Sequence, residues 1–244
     1  MIFHRLALRF ILHKDDIGFY KIMGLDTVRW LVDNVELKPG ARVLDLGTGY
    51  GVVGGELSRR GFAVTFADCE DSLIAEYAGV ELELFNIERV DFSELGEYDL
   101  VVLSNVFEHL SRPEEFTGRA DQLLKPGGML YLAWTNWLSP WGGHDFSPFH
   151  YLGPRLGPRV YDRLFSRRRI LNPYENLFPT SIGATLRMIR RNRSLRIDKV
   201  FPRYYPGAAF ITRIPILREF LTWNCVILIE RVRGARSLSA PTSL

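Results

Sequence analysis

The sequence predicts an α/β fold with a mostly parallel sheet. Three observations carry this reading. Short runs of β-forming residues alternate with helical patterns through the first 135 residues, as βαβ units do. A glycine-rich turn, G-T-G-Y-G, closes the first of those runs. One run, Y-D-L-V-V-L-S-N, is apolar along most of its length, as a strand covered on both faces must be.

Taken in order, M-I-F-H-R-L-A-L-R-F-I-L-H-K places Phe3, Leu6 and Phe10 at helical spacing and reads as an amphipathic helix. Arg5 and Arg9 interrupt its apolar stretch and no small-residue cleavage site follows, so a signal peptide is not expected. Val28, Leu31, Val32 and Val35 mark a second helix, ended by Pro39 and Gly40. A-R-V-L-D-L is the first strand. The helical pattern from Val52 to Arg60 and the strand F-A-V-T-F-A-D complete a βαβ unit. S-L-I-A-E-Y reads as a short helix and V-E-L-E-L-F-N as an alternating third strand. After the apolar fourth strand, a helix runs from about Pro113 to Leu124. K-P-G-G is a turn, and M-L-Y-L-A-W is the fifth strand. L-R-I-D-K-V-F-P and W-N-C-V-I-L-I-E are two further strands, and the C-terminal tail is expected to fray. The boundaries follow: N-terminal helices over 1–40, a core over 41–135, an insertion over 136–194, the last strands over 195–233 and a tail over 234–244.

Of the 244 residues, 47% are apolar, enough for a proper core, which excludes a disordered chain or a disulfide scaffold. Cys69 and Cys225 both fall in apolar runs and read as reduced core thiols, with no zinc ligand set. No uncharged apolar run reaches ~18 residues, so no membrane-spanning helix is expected. The net charge of +3 hides an asymmetry: residues 1–150 carry an excess of ten acids and residues 151–244 an excess of 13 bases. Two jobs are implied, one for each part.

Gly49, Gly51 and Gly54 match the dinucleotide fingerprint G-x-G-x-x-G, and Asp68 follows at about the expected distance. Asp45 argues against that reading. A carboxylate beside the loop repels a pyrophosphate and suits a cationic ligand. The run V-L-D-L-G-T-G-Y-G resembles the first motif of the class I methyltransferases that use S-adenosylmethionine, whose donor carries a sulfonium and an ammonium and no phosphate. The resemblance covers residues 41–135. It implies a Rossmann-like seven-stranded sheet, mostly parallel with an antiparallel last strand. Two outer segments, G-G-H-x-x-x-x-x-H-Y-L-G from Gly142 and F-P-R-Y-x-P from Phe201, resemble a group of actinobacterial methyltransferases with no assigned acceptor.

The resemblance implies a cofactor site. Asp45 would order the methionine amino group, and Gly47, Thr48 and Gly49 would lie under the methionine moiety. Asp68 would take both ribose hydroxyls, since a carboxylate accepts two donors at once. Cys69, Asn86 and Ile87 would flank the adenine. Ser104 and Asn105 would form the pocket floor, and Tyr20 would close the methionine end.

The cofactor supplies the reactive methyl, so the protein mainly orients the acceptor and excludes water. A base is needed when the acceptor is a hydroxyl. N-V-F-E-H-L offers Glu108 and His109. Some relatives hold a divalent cation with E-x-x-E-H here; Asn105 stands where the first Glu would be, so no metal is expected. Residues 136–194 are too rich in Pro and Gly for a sheet and too aromatic for a linker. They read as an ordered lid, with helices near 159–165 and 182–191, covering the crevice beyond the strand C-termini. His144 in that lid is a candidate base, Asp145 its orienter, and His150 a packing residue.

The arginines at 155, 159, 163, 167, 168 and 169 form one basic cluster, and those at 187, 190, 191, 193 and 196 another. With Trp137, Trp141, Phe146 and Phe149, they read either as a solvated face whose aromatics roof the pocket or as peripheral contact with the inner face of a membrane, the aromatics inserting. Nucleic acid is less favoured, because no recognised RNA-binding module is appended. The expected function is methyl transfer from S-adenosylmethionine, leaving S-adenosylhomocysteine, to a small or lipid-linked acceptor through an oxygen nucleophile, in the cytoplasm. The alternatives are a cofactor-binding module without transfer and an RNA methyltransferase.

Overall fold

The computed structural model describes residues 16–165 and 169–234. The helix read at Phe3–Phe10, Arg167 and Arg168, and the tail beyond Gly234 lie outside them. Seven strands form one sheet in the order β3-β2-β1-β4-β5-β7-β6. They are β1 (Arg42–Leu46), β2 (Ala63–Asp68), β3 (Leu82–Leu84), β4 (Tyr98–Ser104), β5 (Leu124–Thr135), β6 (Leu195–Pro202) and β7 (Asn224–Arg231). Strands β1 to β5 pair in parallel, and β7 runs antiparallel to both β5 and β6.

Alternation along the strands sorts the side chains into two cores. On β4, Val101 and Leu103 face one side with Leu44, Leu46, Leu132 and Trp134. Leu100 and Val102 face the other with Val43, Tyr131 and Val226. The first core is covered by Phe116 of α4 (Pro113–Arg119) and by Ile182, Leu186 and Ile189 of α6 (Ile182–Arg191). The second is covered by Val28 and Leu31 of α1 (Asp16–Asn34) and Leu57 of α2 (Val52–Ser58). Both faces of β4 are therefore buried, which is why its sequence does not alternate. Among the described residues three short helices remain: α3 (Phe92–Leu95), α5 (Leu156–Leu164) and α7 (Pro215–Leu221).

Several expectations need correction. Residues 72–77 contain no helix, with turns only from residue 75 on. Tyr77 instead packs its ring against the glycines of α2, stacks under Arg59 (4.9 Å) and donates to Glu56 (3.3 Å). Helix α4 stops at Arg119 and a 3-10 turn continues to Leu123. K-P-G-G belongs to an irregular start of β5, with Gly127 at φ 82°. Val32 is 46% exposed, on the outer side of α1. Cys69 follows the end of β2 and is exposed; only Cys225 lies in the core.

Residues 136–181 are ordered around an aromatic cluster of their own, with Trp137, Phe146 and Leu177 at its centre and Phe149 and Tyr161 against them. Trp137 N donates to Thr180 O within the segment, and two hydrogen bonds tie it to the ends of the sheet: Phe178 N to Glu108 O and Asn136 N to Trp223 O.

Candidate functional site

The parallel register brings the C-terminal ends of β1 and β2 level, with Leu46 opposite Ala67. The loop that leaves β1 is stitched to β2 by its own backbone. Gly47 N and Thr48 N both donate to Ala67 O, at 2.7 and 3.1 Å. The Thr48 hydroxyl donates to Asp45 O (2.8 Å) and accepts from Ala67 N (3.1 Å). Gly47 sits at φ 78°, and a Cβ there would stand 2.1 Å from Val106 Cγ2, so only glycine fits.

The two acids bracket this loop. Asp68 Oδ2 accepts from Gly49 N and Oδ1 from Cys69 N, each at 2.7 Å. Each oxygen keeps a further lone pair, so the carboxylate can still take two hydroxyls. Asp45 is buried, and its Oδ2 accepts from Gly54 N at 2.8 Å. Gly54 belongs to the first turn of α2, whose free amides favour negative charge. Burial pushes the Asp45 carboxyl up to about 7, against the lowering effect of the Gly54 bond and with the Asp68 charge adding to the rise.

These bonds decide between the two readings of the loop. A pyrophosphate needs free amides at the loop and helix start. Here the amides of Gly47, Thr48, Gly49, Gly51 and Gly54 all bond to the protein itself. The seat a phosphate would take at α2 is filled by Asp45. A buried carboxylate at that seat is matched instead by a ligand cation.

The remaining expected residues fall around the same edge. Tyr20 of α1 is 39% exposed, and its ring meets that of Tyr50, just beyond the loop, at 5.6 Å. Phe85 N donates to Asp68 O at 2.9 Å, which places Asn86 and Ile87 beside the end of β2. Asn86 Oδ1 accepts from Glu88 N (2.8 Å), so beyond that turn the residue presents its NH2 group. Burial and the Asp68 charge raise the Cys69 thiol above its ordinary value. Ser104 ends β4, opposite Ala133. Asn105 follows at φ 61°, its Oδ1 accepting from Arg203 (2.9 Å) and Asn224 (3.2 Å).

Three histidines, His109, His144 and His150, lie beyond the C-terminal end of β4. His109 and His144 have ring centroids 6.1 Å apart. His109 Nδ1 lies 2.5 Å from Asn176 O. A carbonyl only accepts, so that nitrogen carries the proton and Nε2 of the neutral ring keeps its lone pair. His144 Nε2 is buried without a partner, and burial pushes the ring down to about 4, with His109 and His150 adding to the shift. Asp145 faces away: its Oδ2 accepts from Ile170 N at 2.7 Å. His150 is fully buried, donates from Nε2 to Ser139 O (2.9 Å) and meets Trp137 edge to face. Glu108 is buried too, with Oε1 accepting from Thr135 N (3.0 Å), and burial raises its pKa. Among the described residues no group of three His, Cys, Asp or Glu side chains could hold a metal ion.

One residue went unassigned in the sequence. Arg203 is 4% exposed, bonds to Asn105 and donates to Thr27 Oγ1 of α1, and among the described residues forms no salt bridge. It holds Asn105 in its positive-φ turn and ties α1 to the end of β6. The segment F-P-R-Y was visible, but nothing in one sequence says that its arginine turns inward.

Comparison with known proteins agrees with this geometry. A family model described as a methyltransferase domain matches residues 20–202. The chain belongs to that methyltransferase family. A Mycobacterium tuberculosis protein named as an uncharacterised methyltransferase is 30% identical over 240 residues, covering 88% of this chain and 89% of the relative. A Mycobacteroides abscessus relative of the same description is 31% identical over 240 residues, covering 87% and 86%. Among solved structures, an S-adenosylmethionine-dependent methyltransferase from Mesorhizobium loti shares the fold with TM-score 0.53 at 20% identity, over 84% of this chain and 98% of the other. This methyltransferase takes S-adenosylmethionine as its donor, and the residues present fit it: a buried acid for a cation, a loop whose glycine amides are already bonded, and a second acid with lone pairs to spare.

Proposed function

We propose that this methyltransferase transfers the methyl group to a hydroxyl of a small or lipid-linked acceptor, with His109 as the base. The observation that carries the base assignment is the Asn176 carbonyl, which fixes the ring tautomer and leaves Nε2 free to receive a proton. His144 stays neutral at physiological pH, because burial holds its pKa near 4. It lines the same place as an uncharged neighbour, and Asp145 holds the backbone at Ile170.

The donor brings an electrophilic methyl on a sulfonium, displaced in line by the acceptor oxygen. The protein's part is to bind, orient and exclude water. Asp45 and the main chain at Gly47, Thr48 and Gly49 would hold the methionine end, closed by Tyr20. Asp68 would take the ribose hydroxyls. Cys69, Asn86 and Ile87 would flank the adenine, and Ser104 and Asn105 would form the floor. Residues 136–181 would cover the acceptor as a lid, since they bond to Glu108 and His109 at the end of β4.

An acceptor of lipid type goes with a cytoplasmic enzyme working at the inner face of a membrane. The basic excess of the last 94 residues supports this, and no helix among the described residues is long and apolar enough to cross a membrane. The four aromatics expected to insert are unequally placed for it. Trp137 and Phe146 are buried in their own cluster, Phe149 is half-buried against it, and only Trp141 is exposed.

The test has two arms. Isothermal calorimetry with S-adenosylhomocysteine should give a saturable site; no heat at ~100 μM of each component would bound the affinity below about 6 kcal/mol and reject the donor site. Incubating the enzyme with labelled donor and a fractionated cell extract should label the lipid or small-molecule fraction. Label in RNA or protein would reject the acceptor class. With the acceptor in hand, His109→Ala should lower turnover by about 10²–10⁴-fold while sparing cofactor affinity. Equal turnover removes the base.

A further inference from the structure

One helix of this protein turns its apolar side chains outward. α7, P-I-L-R-E-F-L, contains no buried residue at all. Ile216 is 74% exposed, and Leu217, Phe220 and Leu221 are each more than 40% exposed. At one- and four-residue spacing these form a single stripe on the helix. Ile214 before it and Phe210 in the preceding 3-10 turn (Pro206–Arg213) are exposed as well, Phe210 at 62%. The helix is not loosely attached. Its inner edge is held by polar contacts: Glu219 accepts from Ile182 N (2.9 Å) and Gly183 N (2.8 Å) at the start of α6, Asn136 donates to Glu219 O, and Tyr205 donates to Leu221 O. A fixed helix that shows water its apolar stripe marks a contact surface.

The charge around the stripe names its partner. Between residues 203 and 223 the only acid is Glu219, and it is engaged with α6. Arg213 is exposed at the foot of the helix. Arg187 of α6 is exposed beside α7, while Arg218 is mostly buried and pairs with Glu219 at 3.2 Å. Arg190, Arg191 and Arg193 continue the positive surface, and residues 182–197 contain no acid. A second copy would bring the same positive rim against itself. The N-terminal segment has the same sign, with Arg5, Arg9 and Lys14 and no acid before Asp15. Aliphatic side chains give nucleic-acid bases little to stack on. Acyl chains below a layer of anionic headgroups match both the stripe and its rim.

We propose that α7 and the preceding turn dock on an anionic lipid surface, with Ile216, Leu217, Phe220 and Leu221 entering the acyl boundary and Arg187 and Arg213 meeting the headgroups. This deepens the membrane-side reading above and moves the contact from the expected aromatic lid to residues 206–222. It rests on that reading for its purpose but is measured without donor or acceptor, so its failure leaves methyl transfer untouched.

The experiment is co-sedimentation of the full chain with vesicles of phosphatidylcholine alone or mixed equally with phosphatidylglycerol. The wild type should bind the anionic vesicles, at least tenfold less well to the neutral ones, and more weakly as salt rises. Ile216→Asp with Phe220→Asp should lower the affinity for anionic vesicles at least tenfold. Arg187→Glu with Arg213→Glu should do the same, while S-adenosylhomocysteine binding stays at the wild-type value in both variants. Three results overturn the proposal: no binding by the wild type, undiminished binding by the Ile216/Phe220 variant, or a wild-type dimer that this variant converts to a monomer, which would assign the stripe to a second copy.

Discussion

Residues 42–104 and residues 136–181 meet at the same end of the sheet but are built in opposite ways. The first region takes its shape from the backbone ladder: parallel strands end level, and the loop between them is fixed by amide-to-carbonyl bonds such as Gly47 N and Thr48 N to Ala67 O. The second has no strand in the sheet. It is held by aromatic packing around Phe146 and by side-chain bonds within the segment, from Ile170 N to the Asp145 carboxylate and from Arg169 to the Asp162 carboxylate. A ladder tolerates changes of side chain; a packed aromatic knot does not. If the proposed roles hold, donor binding and acceptor handling rest on different physical supports and should fail separately.

The largest expected effect comes from Gly142→Ala. A Cβ there would lie 1.7 Å from the Trp137 carbonyl oxygen, and backbone cannot step aside as a side-chain tip can. The aromatic knot should loosen at a cost of about 3 kcal/mol or more, with turnover lost. S-adenosylhomocysteine binding by calorimetry should survive. If it disappears as well, the two regions form one cooperative unit and the contrast breaks down.

Asp68→Ala should do the reverse. Donor affinity should weaken by about 1.5–3 kcal/mol, the range for hydrogen bonds to a charged group, with the near-ultraviolet signal of the aromatic region unchanged. An unchanged affinity counts against the ribose role.

Asp45 sharpens the contrast through pH. Its folded-state pKa, about 7, lies above the ordinary 3.8. Stability from this group is therefore fully present at pH values below about 4 and is lost as pH rises through 7. Binding a cationic donor needs the ionised form, so affinity should run the other way and fall roughly tenfold from pH 8 to pH 6. Asp45→Asn should raise the melting temperature of the ligand-free protein at pH 8 and flatten that pH dependence. A wild-type affinity that does not vary over this range would remove the charge pairing.

The smallest effect is expected at Asp145→Ala. It removes an exposed bond to Ile170 N and should cost about 0.5–1.5 kcal/mol in denaturant unfolding. A turnover loss of a hundredfold or more would restore Asp145 to the chemistry.

The sequence carried the two regions unequally for the same physical reason. Strands and glycine turns write themselves as local patterns, so β6 and α6 fall at the residues expected, 195–202 and 182–191. The loop acids Asp45 and Asp68 were legible because their spacing from the glycines is fixed by one βαβ unit. Contacts between distant segments leave no such trace. Nothing near Asn176 says that its carbonyl meets His109, 67 residues away, or that Arg203 reaches back to Thr27. Residues 72–77 have helical composition, but Tyr77 packs onto the α2 glycines, and that long-range contact overrides the local preference. Cys69 looked buried because its neighbours are apolar, yet it stands one residue past the strand end, where the chain turns out to solvent.

The closure of the glycine loop on itself has a consequence for life in a crowded cell. ATP, NAD and their relatives are abundant and would compete for any Rossmann-like crevice with unsatisfied glycine amides. This crevice has already spent those of Gly47, Gly49, Gly51 and Gly54, and it sets the Asp45 carboxyl where the phosphates would rest. Selectivity is settled when the chain folds, before any ligand arrives. The enzyme should keep its donor site open against a large excess of nucleotides without a gate to guard it.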